Sequence, residues 1–271
     1  MVYVVKSSES DEGQRFIAAV DGVALEKGGE LERVTFDCEG VNLSRIGTVE
    51  IISICFKAMD TFLVDMGGDP DPVIIKTVRE LMENEMVVKI IHDCRMDCDA
   101  LFHLHGIEVK NIHDTSCYHH VLTGAEDKNL NSVLMDNGIS ANTARDSNVY
   151  KINHAFWATR PLTKRMIEWA SSDVDKLFEL ESKQLERLTE RQKMEAIAKS
   201  VKYGTYARDR KIVTGLKVNS PGCFIGRGGC NLRNLQKVTG TVIYQQKPMN
   251  TWFVYYEDDQ GLARVKRSMN N

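Results

Sequence analysis

Between residues 34 and 112, short β-branched or aromatic runs alternate with segments of helical period, and no other feature restricts the fold as much. Val34 to Glu39, Thr48 to Phe56 and Thr61 to Met66 read as adjacent strands separated by turn-like residues. A turn at Asp69 to Pro72 precedes a predicted helix from Val73 to Asn84, which leads into the apolar strand Val87 to Ile91. A second helix, Met96 to Leu104, stops at Gly106 before a strand-like Val109 to Ile112. Upstream, Tyr3 to Val5 reads as a short strand. Ser8 and Asp11 open a helix carrying Phe16, Ile17, Val20 and Leu25, which Gly28 and Gly29 should stop. Strands interleaved with helices require an α/β fold: a mixed or parallel sheet with helices on its faces. From Pro161 a helical pattern runs past Leu177 and Leu180 to about residue 200, its later part charged enough to read as a solvated linker helix.

At 271 residues the chain exceeds one domain of ordinary size, and charge divides it. Up to residue 207 it holds 24 Lys and Arg against 34 Asp and Glu, a balance of −10; the remainder holds 11 basic against 4 acidic residues, or +7. A basic end on an acidic body suggests a polyanion-binding module attached to something else. No run approaches eighteen apolar residues and the first residues do not form a signal peptide, so no membrane association and a cytoplasmic or nuclear setting are expected. Seven cysteines, an odd set without paired zinc spacing, speak against both a disulfide scaffold and a zinc ribbon.

Asp37 and Glu39 lie two apart at the end of a predicted strand, so both side chains leave one face while Cys38 points to the other. Asp97 opens a predicted helix with Leu101 one turn later, and Trp169 and Asp173 share a helix face at i, i+4. Each signal alone has an ordinary structural explanation: a strand-end acid pair, a helix-opening acid favoured by the dipole, and an aromatic core contact beside a solvated acid. Taken in order, with TFDCEG at 35 to 40, VKIIHDCRMDCDALF at 88 to 102, NIHDT at 111 to 115 and RPLTKRMIEWASSDVDKL at 160 to 177, the chain resembles the DEDD superfamily of 3′ to 5′ exonucleases. The resemblance lies within the branch of ribonuclease D, the Werner exonuclease and Egalitarian-like proteins, and covers about residues 1 to 185.

That resemblance implies a ribonuclease H-like mixed sheet flanked by helices, with Asp37, Glu39, Asp97 and Asp173 as metal-binding carboxylates. An all-oxygen set suits two ions of Mg2+ or Mn2+, about 4 Å apart, in a two-metal phosphodiester hydrolysis. Trp169 stands where this branch has a water-orienting tyrosine, so either another group, such as Glu168, Ser171 or Ser172, holds the water or turnover is slow.

In the basic end, Ile225-Gly226-Arg227-Gly228-Gly229 is followed by Leu232, Leu235 and Val238 at helical spacing, then by Thr239-Gly240 before a strand. The segment resembles a type I KH domain, a small α+β module whose Gly-rich loop clamps the backbone of unpaired nucleotides. By that resemblance Ile225, Gly226, Arg227, Gly228, Gly229 and Leu232 are nucleic-acid-binding candidates, with Val242 a further groove residue. Residues 1–185 are thus expected to form the exonuclease domain, 186–207 a charged linker helix and 208–271 the KH domain. The function these imply is a metal-dependent 3′ to 5′ exonuclease on single-stranded RNA, or DNA, with KH-assisted binding. The rival is a catalytically weak exonuclease-fold protein acting as an RNA-binding adaptor.

Overall fold

The structure is a computed structural model and describes residues 1–25, 31–57, 60–125, 128–146, 148–246 and 251–270. It divides into two compact units, Met1–Arg208 and Asp209–Asn271. The expected stop at Gly28 and Gly29 lies outside the described residues.

In the first unit, β1 (Val2–Val5), β2 (Glu32–Glu39), β3 (Ile51–Phe56), β4 (Thr61–Asp65), β5 (Val87–Ile91) and β6 (Ile112–Asp114) form one sheet in the order β1-β4-β3-β2-β5-β6. The pairs β2–β3 and β3–β4 are antiparallel, whereas β1–β4, β2–β5 and β5–β6 are parallel. The result is a mixed α/β sheet, as the alternation of runs predicts. Helices α1 (Asp11–Leu25), α2 (Pro72–Glu83) and α3 (Arg95–His105) cover one face, where Phe16, Val34, Phe36, Cys38, Val78 and Leu101 share a core. The other face carries α4 (Thr115–Thr123), α5 (Leu130–Asp136), the single turn α6 (Val149–Ile152), α7 (Lys164–Asp175) and α8 (Leu177–Arg187). Val88 and Ile90 there meet Leu134 and Leu180, while Ile51 and Leu63 meet Trp157 and Trp169.

Three sequence expectations change. The strand expected at Val109 to Ile112 forms later, at Ile112–Asp114, because the preceding backbone is bonded to helices: Ile107 N donates to Leu101 O at 3.0 Å and Lys110 N to Met82 O at 2.9 Å. Asn111, at φ 51°, then turns the chain into the sheet. The single long helix expected from Pro161 is three helices. Arg160, bonded to Asp65, Glu50 O, Trp157 O and Thr159 O, keeps its chain out of the helix until the Thr163 hydroxyl caps α7 at Met166 N. Thr189 likewise caps α9 (Glu190–Tyr206) through Gln192 N, while Gln192 Oε1 accepts from Thr189 N.

The segment 186–207 is also not a separate linker: α9 belongs to the first unit. Ser200 Oγ accepts from Asp114 N at 3.1 Å, and Gly204 lets the helix close on β6, where a Cβ would stand 2.6 Å from Ile112 Cδ1.

In the second unit β7 (Lys211–Leu216), β9 (Thr251–Tyr256) and β8 (Val242–Gln246) form an antiparallel sheet in that order. Around it run α10 (Pro221–Ile225), a short 3-10 turn Arg227–Gly229, α11 (Cys230–Thr239) and α12 (Asp259–Asn270). Phe224, Ile243, Trp252, Val254, Leu262 and Val265 make its core, packed on its rim by Ile225, Leu232 and Leu235. The final helix, α12, spans 12 residues. No helix among the described residues is long and apolar enough to cross a membrane.

Beneath the first unit's sheet, His113 stacks on Tyr118 with ring centroids 3.7 Å apart and is 4% exposed. Its Nδ1 lies 3.5 Å from Glu181, but Arg33 already bonds that carboxylate. Burial, and then the Arg33 charge, press the His113 pKa down to about 3. The unfolded chain therefore takes the proton first as pH falls. Stability from neutral His113 is complete above about 6.5 and drains between there and about 3, by roughly 1.4 kcal/mol per pH unit. In chemical denaturation across that window, His113→Phe should show a shallower loss of stability than wild type; parallel curves would refute the assignment.

Candidate metal centre

The site starts from the pleat of β2. Val34, Phe36 and Cys38 enter one core, so Thr35, Asp37 and Glu39 all project from the opposite face. Thr35 fixes the helix that lies there: its hydroxyl donates to Val174 O at 2.9 Å, pinning the last turn of α7 against the strand. That contact sets Asp173, one residue earlier, beside the strand's two acids. Carboxylate oxygens of Asp37, Glu39 and Asp173 lie within 4.8 Å of one another, the one group of three or more His, Cys, Asp or Glu among the described residues placed to hold an ion.

Asp97 stands next to this triad. Its Oδ1 accepts from Cys38 N at 3.0 Å, between the two strand acids in sequence, and the side chain is 5% exposed. Leu101, fully buried one turn later, holds α3 in the core as its spacing predicts. The start of α3 is set by Asp114, whose carboxylate accepts from Asp93 N at 3.0 Å and Cys94 N at 2.9 Å and allows Asp93 its left-handed φ of 64°.

Three of these carboxylates, Asp37, Glu39 and Asp97, resist ionisation. Burial first, then the charges of Glu39, Asp97 and Asp173, hold the Asp37 carboxyl well above the usual range. Glu39 is raised likewise, by burial and then by Asp173, with Arg145 acting in the opposite direction. Burial pushes Asp97 up to about 7 despite the Cys38 amide. Hard oxygens, no soft ligand, and a buried setting that opposes uncompensated negative charge fit a divalent cation of the magnesium or manganese type.

Trp169 turns toward the sheet. It is 1% exposed, edge-on to Trp157 with ring centroids 5.5 Å apart, and packs with Ile51, Leu63 and Met166. The indole is thus occupied in packing, where a water-orienting group has to reach solvent. Of the other hydroxyls and acids on that helix, Ser171 Oγ donates to Ile167 O at 2.8 Å and Glu168 is exposed.

Two residues that spacing did not reveal complete the site. Asn142 Nδ2 donates to Asp173 Oδ1 and to Trp169 O, both at 3.0 Å, and Arg145 Nη1 reaches Asp173 Oδ2 at 3.3 Å. They lie in ISANTARDSN, a polar stretch with no period, and nothing in its composition marks Asn142 as 2% exposed.

The Gly-rich turn belongs to the second unit. Gly226, Gly228 and Gly229 all have positive φ, at 73°, 57° and 81°, so the bend between α10 and α11 needs glycine at each. A Cβ on Gly226 would also fall 2.7 Å from Asn231 Cγ. Arg227 is exposed at the tip, and Leu232 and Ile225 are half-buried beside the core.

One strand, β2, projects two acids and a helix on each face of the sheet supplies another, and comparison with known proteins identifies the family. The family model described as 3′-5′ exonuclease matches residues 21–189, and the chain belongs to that family. Ribonuclease D of Nitrobacter hamburgensis is 33% identical over 133 residues, which cover 42% of this chain and 31% of that protein, less than a third of its length. Among solved structures, ribonuclease D of Trypanosoma brucei superposes with TM-score 0.62 at 18% identity, covering 76% of this chain and 73% of that one. NrnC of Brucella melitensis gives TM-score 0.56 at 19% identity, with 75% and 89% covered. At such identities the structures speak for the shared fold.

The burial of Trp169 has a stability consequence. Trp169→Ala should destabilise the protein by about 3–5 kcal/mol, measured by urea denaturation in chelator, because two aromatic neighbours lose their partner. A loss below about 1 kcal/mol would place the ring outside the core.

Proposed function

We propose that this chain is a divalent-cation-dependent 3′ to 5′ exonuclease that hydrolyses the terminal phosphodiester of single-stranded nucleic acid, RNA in preference to DNA. The observation that carries this reading is the triad of half-buried Asp37 with buried Glu39 and Asp173, and Asp97 beside it, in a chain of the 3′-5′ exonuclease family. These four residues would hold two ions of Mg2+ or Mn2+. Once bound, such ions make a water nucleophilic near neutral pH and offset charge developing on the phosphate. The protein's own contribution is placement. Thr35 fixes the height of Asp173, the Cys38 amide orients Asp97, and the β2 pleat aims Asp37 and Glu39 together. Structures of the fold relative NrnC with bound Mg2+ and with bound pGG support both the ion and an oligonucleotide ligand.

The second unit we read as a KH module. Its β-α-α-β-β-α order, the three left-handed glycines between α10 and α11, and the exposed Arg227 support phosphate binding at the turn. The +7 balance of the last segment favours a polyanion in the same way. Burial of Trp169 favours the rival reading, an exonuclease-fold adaptor that binds RNA without rapid turnover. End-labelled single-stranded RNA and DNA, incubated with magnesium, manganese or chelator, separate the two: binding without shortening selects the adaptor.

Asp37→Asn should abolish metal-dependent shortening while the melting temperature in chelator stays equal or rises, since the amide brings no ionisable group into a site where burial and three neighbouring acids oppose the charged form. Retained cleavage in the purified variant would remove Asp37 from the site. Arg227→Asp, which keeps Gly228 in its left-handed conformation, should weaken binding to long single strands and lower the slope of log affinity against log salt by about 1. Dinucleotide cleavage should stay near wild type, and an unchanged salt slope would detach the turn from nucleic-acid binding.

A further inference from the structure

Both oxygens of Asp173 are engaged within the chain. Asn142 Nδ2 donates to Oδ1 and Arg145 Nη1 to Oδ2. The two donors stand three residues apart but are held very differently. Asn142 is locked: its backbone N donates to Asn131 Oδ1 at 2.8 Å, its carbonyl accepts from Asn131 Nδ2 at 3.1 Å, and its Oδ1 accepts from Ala144 N at 3.0 Å. Arg145 has a side chain 39% exposed, with its guanidinium 6.0 Å over the Trp169 ring and a looser 3.3 Å contact to the carboxylate. One donor is built into the wall; the other lies partly exposed at its edge.

Charge gives that difference a purpose. Arg145 acts favourably on Asp37 and Glu39 as well as on Asp173, so its guanidinium offsets the repulsion that a metal ion would otherwise relieve. Two divalent ions neutralise four carboxylates in full, and a guanidinium kept against Asp173 would then be surplus positive charge beside them. An arginine cannot shed its proton to escape the conflict. It can only move.

We propose that Arg145 is a resident counter-cation of the cluster: it holds Asp173 in place while no ion is bound, competes with the divalent ion for that carboxylate, and withdraws when the ion enters. The proposal rests on the reading of the four carboxylates as an ion site. Asn142, being neutral and fixed, keeps Asp173 oriented in both states.

The test is equilibrium binding of Mn2+ to the full chain, by calorimetry and by tryptophan fluorescence, in wild type, Arg145→Gln and Arg145→Lys, with melting curves in chelator and at saturating Mn2+. Arg145→Gln should bind Mn2+ about tenfold more tightly than wild type. It should melt below wild type in chelator, and saturating Mn2+ should close that gap. Arg145→Lys retains the charge and should stay within about threefold of the wild-type affinity. Should the glutamine variant fold only with Mn2+ present, lysine decides: tightening of about tenfold there would overturn the charge argument. If wild type binds Mn2+ and glutamine binds it equally or less tightly, Arg145 is no competitor and the ion site stands. If neither protein takes up Mn2+, the ion-site reading and this proposal fall together.

Discussion

Mutual repulsion of carboxylates in a dry cleft is the constraint around which the first unit is organised. Asp37, Glu39, Asp97 and Asp173 come from two flanking helices and a central strand, and none of them would choose this company in water. They stay together because the apolar parts of the same elements are committed elsewhere. Phe36 and Cys38 bind β2 to one core, Leu101 binds α3 to it, and Trp169 and Met166 bind α7 to another. Packing supplies the driving force; the cleft receives the charge as a consequence. The hydrogen bonds at the rim, Thr35 to Val174 and Cys38 to Asp97, add little net energy each but convert that packing into a fixed separation between acids.

What the sequence reveals about this arrangement follows from how local each cause is. A two-residue period on β2 and a one-turn spacing on α3 are short-range facts, so the facing of Asp37 with Glu39 and the burial of Leu101 could be read from letters alone. The α7 spacing was equally legible but ambiguous: four residues put Trp169 and Asp173 on adjacent turns, and only Trp157 and Phe156, arriving from a turn after α6, decide that the indole goes inward. Asn142 and Arg145 were invisible, because their roles depend on a polar segment folding back across the end of α7. The breaks between α7, α8 and α9 hide inside a good helical pattern. Thr189 with Gln192 is nevertheless a legible capping signature that the charge of the segment masked.

The second unit shows the same division. Glycines at 226, 228 and 229 announce a bend that other residues would resist, and the backbone there has the left-handed angles that explain them. The residues that stiffen the bend carried no signal: Asn231 Nδ2 donates to Cys223 O and Arg233 Nη1 to Gly228 O, both at 2.7 Å. A glycine-rich turn cross-braced by two side chains is shaped in advance of any ligand, which reduces the ordering cost of binding one.

Arg160 joins distant parts of the chain in another way. Its guanidinium, held by Asp65 and by the Glu50 carbonyl, occupies the space that a side chain on Gly67 would need: a Cβ there would stand 2.6 Å from Nη2 and 3.0 Å from Glu50 Oε2. Ordinarily an arginine tip yields to a neighbour, but this one is bonded on several sides. Positions 67 and 160 should therefore drift together over evolutionary time, the first remaining glycine for as long as the second remains arginine. A lineage that gives up the arginine regains freedom at the glycine, and with it loses the clasp that fixes where α7 begins.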